Sequence, residues 1–411
     1  MKKVFFILIE FFVLIIYVYF LSIDNIPKNI ILFDGENLNV RTLLGVTCER
    51  VDSFEDDTSI QVSSNINKNT VGKKSTLFFK LFDMITLKEV DLDVISNVRV
   101  IPVGNTVGLK LYTKGVLVVG MNEVENSQME VIKPYEGTGI VEGDMIISVN
   151  NTAVSSTDDL LEEVSKSNGD KLQVEYVRNG NVYETNIKPE KIEENKYKLG
   201  LWVRDSAAGV GTLTYYEPST KRFAALGHGI MDIDTGELLK IADGEIVTAN
   251  IVSIIKGEKK KPGEIRGSIA NQRTVGKISK NTEIGIYGVI TNTSGLNIDF
   301  SKEMEVAKRT EIKLGPAKIL CTLENNKTEE YDIEIQKIDV NNNLNNKSMV
   351  IKVTDTALLE KTNGIIQGMS GSPIIQNGKL IGAVTQVFVS SPDMGYGIFA
   401  DLMIKEMKEV E

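Results

Sequence analysis

The second half of the chain is constrained most by its short apolar runs, which glycine and asparagine turns separate at regular intervals. The clearest runs are Gly211–Tyr216, Glu245–Val252, Glu283–Ile290 and Met349–Val353. Short strands with regular turn signals are typical of an all-β barrel or sandwich. Two segments break the pattern and predict helices, a short one at Thr356–Lys361 and a closing one at Asp401–Glu409. We therefore expect a mainly β fold from Tyr197 onward.

The N-terminus carries two lysines, Lys2 and Lys3, followed by an apolar run from Val4 to Leu21 that only Glu10 interrupts. As a helix, this run would be roughly 27 Å long, about the thickness of a bilayer core. The lysines predict that the N-terminus stays inside and the body lies outside. We expect residues 1–22 to be an uncleaved signal anchor. A cleaved signal peptide is the alternative, and both export the body.

Composition excludes several function classes. The net charge of −10 argues against a nucleic-acid-binding protein. The one histidine, His228, excludes a His-rich zinc centre and an H-E-x-x-H metalloprotease. The two cysteines, Cys48 and Cys321, have no metal-site spacing. We expect no metal, no cofactor and no nucleic acid partner.

Residues 23–94 predict a small β-rich region. Thr76–Val94 alternates enough to indicate two strands. Asp52–Lys74 is polar, and its few apolar residues are scattered, so we expect a linker there. A linker of this kind is the expected site of proteolytic nicking.

Residues 95–192 combine strand and helix signals in a specific order. Strand-like Gly115–Gly120 and Val141–Asn150 precede a helix start at Ser155–Val164, where serine and threonine stand before acidic residues. Leu172–Val177 then alternates as a strand, and Asn179-Gly180 predicts a hairpin.

This order resembles a PDZ domain, most specifically in Gly143–Asn150; an unrelated small α+β domain is the alternative. The resemblance implies that Gly108 and Leu109 form the loop that receives a peptide C-terminal carboxylate. The peptide would then add to the sheet as an extra strand.

One serine has the surroundings that a nucleophile needs. Ser370 has Gly368 two residues before it and Gly371 directly after it. Glycines permit a tight turn that exposes the serine and directs the backbone N–H groups of Gly368 and Ser370 at one point, as an oxyanion hole requires. An ordinary glycine-rich turn is the alternative, and Ser372 is the next candidate nucleophile.

A serine nucleophile needs a base with a pKa near 7. His228 is the one imidazole in the sequence, and glycines flank it in Leu226–Ile230. A histidine between glycines is a poor core residue, although it could lie in a surface turn. We therefore predict that His228 and Ser370 act together.

Three motifs carry a family resemblance: Leu226–His228, Lys352–Asp355 and Gly368–Pro373. Behind a PDZ domain and an N-terminal anchor, they resemble the stage IV sporulation protein B serine peptidases of endospore-forming bacteria. The resemblance extends from about Leu77 to the end of the chain. It implies a chymotrypsin-like double β-barrel in residues 197–411, with His228, Asp355 and Ser370 as the catalytic triad.

The resemblance also implies a biological role. Members are exported into the space between forespore and mother cell, where they cleave themselves and a membrane-bound regulator and so allow a late sigma factor to be activated. We therefore expect an exported serine endopeptidase that is tethered to the membrane by its N-terminal helix and released after cleavage. Its PDZ domain would recognise a second copy in trans, and self-cleavage would fall in the first hundred residues, within Asp52–Lys74. A catalytically inactive PDZ scaffold is the alternative.

The identity of the acid stays open at this stage. No aspartate occurs between Asp243 and Asp299, and Asp355 lies only 15 residues before Ser370. Asp355 is also a good N-cap for the helix that follows it. Asp232 and Asp234 are the local rivals.

Overall fold

The computed structural model describes residues 10, 13–14, 17–21, 26–27, 29–38, 45–54, 57–63, 71, 74–269, 272–324, 327–340 and 346–410. Within these ranges the chain is mainly β. None of the helices described there has both the length and the apolar character that crossing a bilayer requires. The predicted anchor, residues 1–22, lies for the most part outside the described residues.

The N-terminal unit is a five-stranded sheet with the order β1-β5-β4-β2-β3. Its strands are β1 (Asn29–Phe33), β2 (Val46–Phe54), β3 (Asp57–Ser63), β4 (Lys74–Leu81) and β5 (Ile85–Ile95). The two strands predicted in Thr76–Val94 are confirmed as β4 and β5. Their alternating apolar residues form the core of this sheet, with Leu77, Phe79, Val90 and Leu92 buried.

The predicted linker at Asp52–Lys74 is wrong where the structure describes it as strand. β2 continues to Phe54 and pairs with β4, and β3 pairs with β2 as the edge strand. Strand pairing uses backbone N–H and C=O groups, which a polar sequence also has, so scattered apolar residues did not exclude a hairpin. Residues 55–56, 64–70 and 72–73 of this segment lie outside the described residues.

One long strand, β6 (Arg99–Met121), connects the next two units. Along most of its length it pairs with β15 (Leu201–Tyr216), from Ile101↔Tyr216 to Met121↔Leu201. The first half of β6 belongs to a barrel, and its second half belongs to the PDZ-like sheet. The two units therefore share this pair of strands.

The PDZ-like unit packs one helix against a sheet. Its elements are β7 (Val124–Glu125), β8 (Val131–Ile132), β9 (Met145–Val149), β10 (Thr152–Ala153), α1 (Thr157–Lys166), β11 (Leu172–Arg178), β12 (Asn181–Ile187), β13 (Glu190–Glu193) and β14 (Lys196–Lys198). Ser156 begins α1 with a capping box that includes Asp159, and α1 buries Leu160 and Val164. The predicted helix, the strand at Leu172–Val177 and the hairpin after it are confirmed.

The predicted carboxylate-binding loop at Gly108 and Leu109 is wrong. Both residues lie in the middle of β6, where Gly108 pairs with Val210 on one side and Val247 on the other. Leu109 is buried in the barrel core. A Cβ at Gly108 would lie 2.3 Å from Ile269 Cγ2. This glycine therefore permits close packing in a straight strand and does not form a turn.

The first barrel contains the first half of β6 and β15, and it closes because β17 pairs with both β20 and β6. Its other strands are β16 (Arg222–Ala225), β17 (Ile241–Thr248), β20 (Thr274–Thr282) and β21 (Gly285–Ile290). A hairpin of β18 (Asn250–Ile255) and β19 (Glu264–Ser268) projects from it. Two 3₁₀ helices, Phe300–Lys302 and Arg309–Glu311, and β22 (Met304–Glu305) lead onward.

The second barrel is closed, with the order β23-β24-β25-β28-β27-β26. Its strands are β23 (Gly315–Glu324), β24 (Lys327–Ile338), β25 (Met349–Val353), β26 (Pro373–Gln376), β27 (Lys379–Phe388) and β28 (Ser391–Phe399). The two predicted helices are confirmed as α2 (Thr356–Thr362) and α3 (Ala400–Lys408). Two barrels side by side agree with the double-barrel prediction for residues 197–411, except that β6 supplies a strand from outside that range.

Candidate active site

The loop that carries Ser370 connects α2 to β26 and depends on its glycines. Gly368 and Gly371 have φ values of +95° and +94°, which a residue with a Cβ rarely adopts. A Cβ at Gly371 would lie 2.2 Å from the carbonyl oxygen of Thr212. The loop therefore packs directly against β15 of the first barrel, which brings Ser370 to the junction of the barrels.

Ser370 is held by β27, the second strand of the β26–β27 hairpin that follows it. Its Oγ donates a hydrogen bond to the carbonyl oxygen of Thr385 at 2.7 Å. The next residue, Gly371, donates from its N–H to Val384 at 2.8 Å. Both acceptors lie on β27, so the second barrel fixes the serine from behind.

The predicted oxyanion hole has donors available. The N–H groups of Met369, Gly371 and Ser372 all donate hydrogen bonds within the fold. Those of Gly368 and Ser370 donate none to any part of the chain that the structure describes. These two N–H groups are therefore free to bind a substrate carbonyl oxygen, and their role as the oxyanion hole stays a prediction.

His228 lies in a turn that the first barrel anchors. Leu226 and Gly227, just before it, both have a φ of +71°. After it, the N–H of Gly229 donates to the backbone carbonyl oxygen of Glu283 at 3.1 Å, and the N–H of Ile230 donates to Asn281 Oδ1 at 2.9 Å. The turn is therefore fixed on both sides.

The tautomer of His228 follows from its hydrogen bond. Nδ1 lies 2.9 Å from the carbonyl oxygen of Gly229, which can only accept, so Nδ1 carries the proton and Nε2 keeps its lone pair. Burial lowers the pKa of His228 below its usual value near 6.5, and the bond to Gly229 opposes that shift. The imidazole is therefore neutral near pH 7, as a general base must be.

Both predicted residues line a single cleft between the barrels, with a volume of about 540 Å³. Ser370 and Thr385 line the second-barrel side, and His228 lines the first-barrel side. Other lining residues are mostly small or apolar and include Ala207, Gly209, Ile366, Pro262, Val387 and Val389. A cleft of this kind can hold an apolar group beside Ser370 and His228.

Thr212 connects the two halves of this site, and sequence reasoning did not identify it. From β15, its Oγ1 donates to the Gly368 carbonyl at 2.7 Å, and its N–H donates to the Ser370 carbonyl at 3.0 Å. Its own carbonyl accepts from the N–H of Leu226, at the start of the histidine turn, at 3.2 Å. No local pattern marks a threonine in a strand for such a role, because its partners lie far away in sequence.

Asp355 does not join this group. It is the N-cap of α2, where its Oδ1 accepts from the N–H of Leu358 at 3.0 Å. Its Oδ2 accepts from the N–H of Asp332 at 3.3 Å. Asp355 is not among the residues that line the cleft. The structure thus gives it the capping position, and its predicted role as the catalytic acid stays a prediction.

The alternative candidates for the catalytic acid, Asp232 and Asp234, both pair with Arg204. Asp232 is buried and accepts from Arg204 at 2.7 Å, and Asp234 pairs with the same guanidinium at 2.8 Å. Among the residues in the described ranges, no hydrogen bond or ion pair joins His228 to a carboxylate. The backbone carbonyl of Gly229 occupies the place that a triad acid takes. Ser372, the other candidate nucleophile, is fully buried.

Models of known protein families match two parts of the chain. The family model described as SpoIVB peptidase S55 matches residues 195–404, a little over half of the chain, and a PDZ domain model matches residues 93–188. A search of curated protein sequences finds no match.

Solved structures show looser likenesses. The PDZ domain of an SdrC-like protein from Listeria monocytogenes is 18% identical, over 22% of this chain and 87% of its own, with a TM-score of 0.18. The active form of the Rv3671c protease from M. tuberculosis is 13% identical, over 50% of this chain and 74% of its own, with a TM-score of 0.28. A serine endoprotease from Yersinia pestis is 14% identical, over 49% and 57%, with a TM-score of 0.29.

The family match contains the nucleophile loop, the histidine turn and both sides of the cleft between them. The chain belongs to the SpoIVB peptidase S55 family and is a serine endopeptidase with a PDZ domain.

Proposed function

We propose that this peptidase cleaves itself and a membrane-bound regulator in signalling between forespore and mother cell, and that this cleavage leads to activation of a late sigma factor. The observation that carries the catalytic part is the single cleft that Ser370 and His228 line together, beside two free backbone donors. The sporulation role is supported by the family match.

The geometry supports a covalent mechanism. Ser370 Oγ exchanges its bond to Thr385 for one to His228 Nε2, loses its proton to that nitrogen and attacks the scissile carbonyl carbon. The N–H groups of Gly368 and Ser370 bind the oxyanion that forms. His228 then gives the proton to the leaving amine, and water hydrolyses the acyl-enzyme by the same route.

A peptide groove in the PDZ-like unit replaces the site predicted at Gly108. It lies between α1 and the start of β15, has a volume of about 310 Å³, and is lined by Leu160, Leu161, Leu201 and Trp202. Leu161 and Trp202 expose 57% and 62% of their surface although both are apolar.

The groove ends in a loop at Gly200, which has a φ of +71°. Two successive N–H groups, of Leu199 and Gly200, have no acceptor among the described backbone groups. A groove between a helix and a free strand edge, ended by such a loop, takes a peptide with a free C-terminal carboxylate. We propose this groove as the site for a partner or for a second copy of the chain.

We also propose that the body is exported and tethered to the membrane through Val4–Leu21, because that run is apolar and follows Lys2 and Lys3. Alkaline phosphatase fused after residue 50 should be active. An inactive fusion would contradict the proposed orientation.

The catalytic proposal is tested with a fluorophosphonate probe, which reacts with an activated serine. The wild-type chain should be labelled and Ser370→Ala should not. Unlabelled wild-type enzyme should also cut the Ser370→Ala chain in trans, within its first hundred residues. Equal lack of labelling in both chains would favour an inactive PDZ scaffold, and an uncut Ser370→Ala chain would exclude cleavage between molecules.

A further inference from the structure

We propose that the outer edge of β15 binds one continuous, extended segment of substrate, from the scissile bond to the C-terminal carboxylate. A substrate bound in this way would then be cut about ten residues before its free C-terminus, whereas self-cleavage within the first hundred residues would use the catalytic cleft without this path. This inference rests on the peptidase activity and on the peptide groove proposed above.

The first observation is the unequal use of the two edges of β15. One edge pairs with β6 from Leu201 to Tyr216. The other edge pairs with β16 only from Leu213 onward. Across the part of the chain that the structure describes, no strand pairs with the outer edge at residues 201–211. An unpaired edge of this length is a template for an added strand.

The second observation is that both cavities open along this same edge. Leu201, Trp202 and Val203 line the peptide groove, and residues 207–210 line the catalytic cleft. At Thr212 the edge meets the nucleophile loop, because the Thr212 N–H donates to the Ser370 carbonyl. One strand therefore connects the carboxylate end of the groove with the nucleophile.

The third observation is the small size of the side chains between the two sites. Ala207, Ala208 and Gly209 follow one another on β15, and Ala208 and Gly209 are exposed. A Cβ at Gly209 would have no other atom within 4 Å, so internal packing does not require a glycine there. Glycine in a strand often marks a place where another backbone approaches closely. An added substrate strand would explain the glycine at position 209.

The polarity is consistent along the whole path. A carboxylate at the Gly200 loop places the C-terminus of the peptide at the beginning of β15. The preceding residues then run antiparallel to β15, in the direction of Thr212 and Ser370. The segment on the edge is therefore the part of the substrate that follows the scissile bond.

The length follows from the strand rise. Leu201 and Thr212 are eleven positions apart in β15, which corresponds to about 36 Å at roughly 3.3 Å per residue. An antiparallel partner of equal extension has about ten residues. Near the middle, Asp205 Oδ2 accepts from the N–H of Thr157 at 2.7 Å, so the segment leaves the groove beside the first turn of α1.

The test digests a library of peptides with free C-termini with the full chain and measures the length of each C-terminal product. Product lengths should peak at about ten residues, and amidation of the C-terminus should abolish the peak. N-methylation of the substrate backbone should slow cleavage at alternate positions, because every second N–H of an added strand bonds to its partner. All rates are divided by the rate of fluorophosphonate labelling.

Two variants and one control locate the effect. Leu161→Asp places a charge in the groove, and Gly209→Val places a side chain on the free edge of β15. Each should reduce the rate at which ten-residue C-terminal products are released at least about tenfold, as loss of roughly 1.4 kcal/mol of binding would. Val182→Asp is the matched control, because Val182 is equally exposed on β12 and lines neither cavity. It should cut like wild type.

Labelling of Ser370 separates failure of the continuous-strand proposal from failure of the catalytic proposal. Without labelling of Ser370, the proposed catalytic function fails. With labelling, products of all lengths, insensitivity to amidation or absence of peptide cleavage would each overturn the continuous strand. Equal cleavage rates for all substrates with more than ten residues after the scissile bond would also overturn it. A flexible segment that merely links the groove to the scissile bond would give that result.

Discussion

Replacing Thr212 by valine removes one hydroxyl from the centre of the active site and leaves the shape of the side chain unchanged. Valine keeps the β-branched form that suits a strand. The Thr212 N–H bond to Ser370 and the carbonyl bond from Leu226 are backbone interactions and remain. The change therefore removes only the 2.7 Å bond from Thr212 Oγ1 to the Gly368 carbonyl.

The expected fall in kcat follows from the hydrogen bond that the Gly368 carbonyl loses. A buried acceptor without its donor costs about 1–3 kcal/mol. The Gly368 carbonyl belongs to the peptide unit that holds the oxyanion loop in position, so part of this cost falls on the transition state. At about 1.4 kcal/mol per factor of ten, we expect kcat to fall about 5- to 100-fold with little change in KM.

The assay compares Thr212→Val with Thr212→Ser, which keeps the hydroxyl. Rates of fluorophosphonate labelling and of peptide cleavage are measured together with the melting temperature. Thr212→Ser should retain most of the wild-type rate. The reasoning is refuted if Thr212→Val labels at the wild-type rate. It is also refuted if Thr212→Ser loses as much rate as Thr212→Val, because packing of the methyl group would then be the cause.

Three further predictions concern the residues that sequence analysis singled out. Ser370→Ala should lower turnover by about 10⁴–10⁶, and a Ser370→Ala chain that still processes itself would exclude Ser370 as the nucleophile. Because burial lowers the pKa of His228, the neutral base should be present above a midpoint that lies below pH 6.5 and be lost as the pH falls through it. A pH–rate profile of kcat/KM with an acidic midpoint above 6.5 would contradict this. If Asp355 only caps α2, Asp355→Asn should melt like wild type and keep most activity, since asparagine also caps, while Asp355→Ala should lose about 1 kcal/mol of stability. A fall of about 10⁴ in rate with unchanged melting of Asp355→Asn would instead assign Asp355 as the acid that orients His228.

Short-range chemistry in the sequence was sufficient for much of the local structure. The capping box at Ser156 and the Asn179-Gly180 turn appear where the sequence predicted them, because a cap or a tight turn depends on neighbouring residues. The glycines around Ser370 were informative for the same reason, since positive φ is a local requirement. The short strands with frequent turns also indicated a barrel or a sandwich, and the family resemblance implied the double barrel.

Predictions that depended on which strand lies beside a given segment were less successful. Val107–Leu111 has the same local pattern whether it forms a PDZ loop or a barrel strand, and the pairing of β6 with β15 and β17 decided between them. The polar segment after Asp52 became a hairpin because β4 provided a partner for β2.

The sequence by itself determined the nucleophile loop, the histidine turn, the caps and the turns, since these rest on residues within a few positions of each other. Tertiary structure decided that Thr212 joins the serine and histidine turns, that Asp355 caps a helix outside the cleft, and that β15 extends from the peptide groove to Ser370. Each of these depends on contacts between segments far apart in the chain. Such contacts form only when the barrels close and bury their apolar faces, and no local pattern records them.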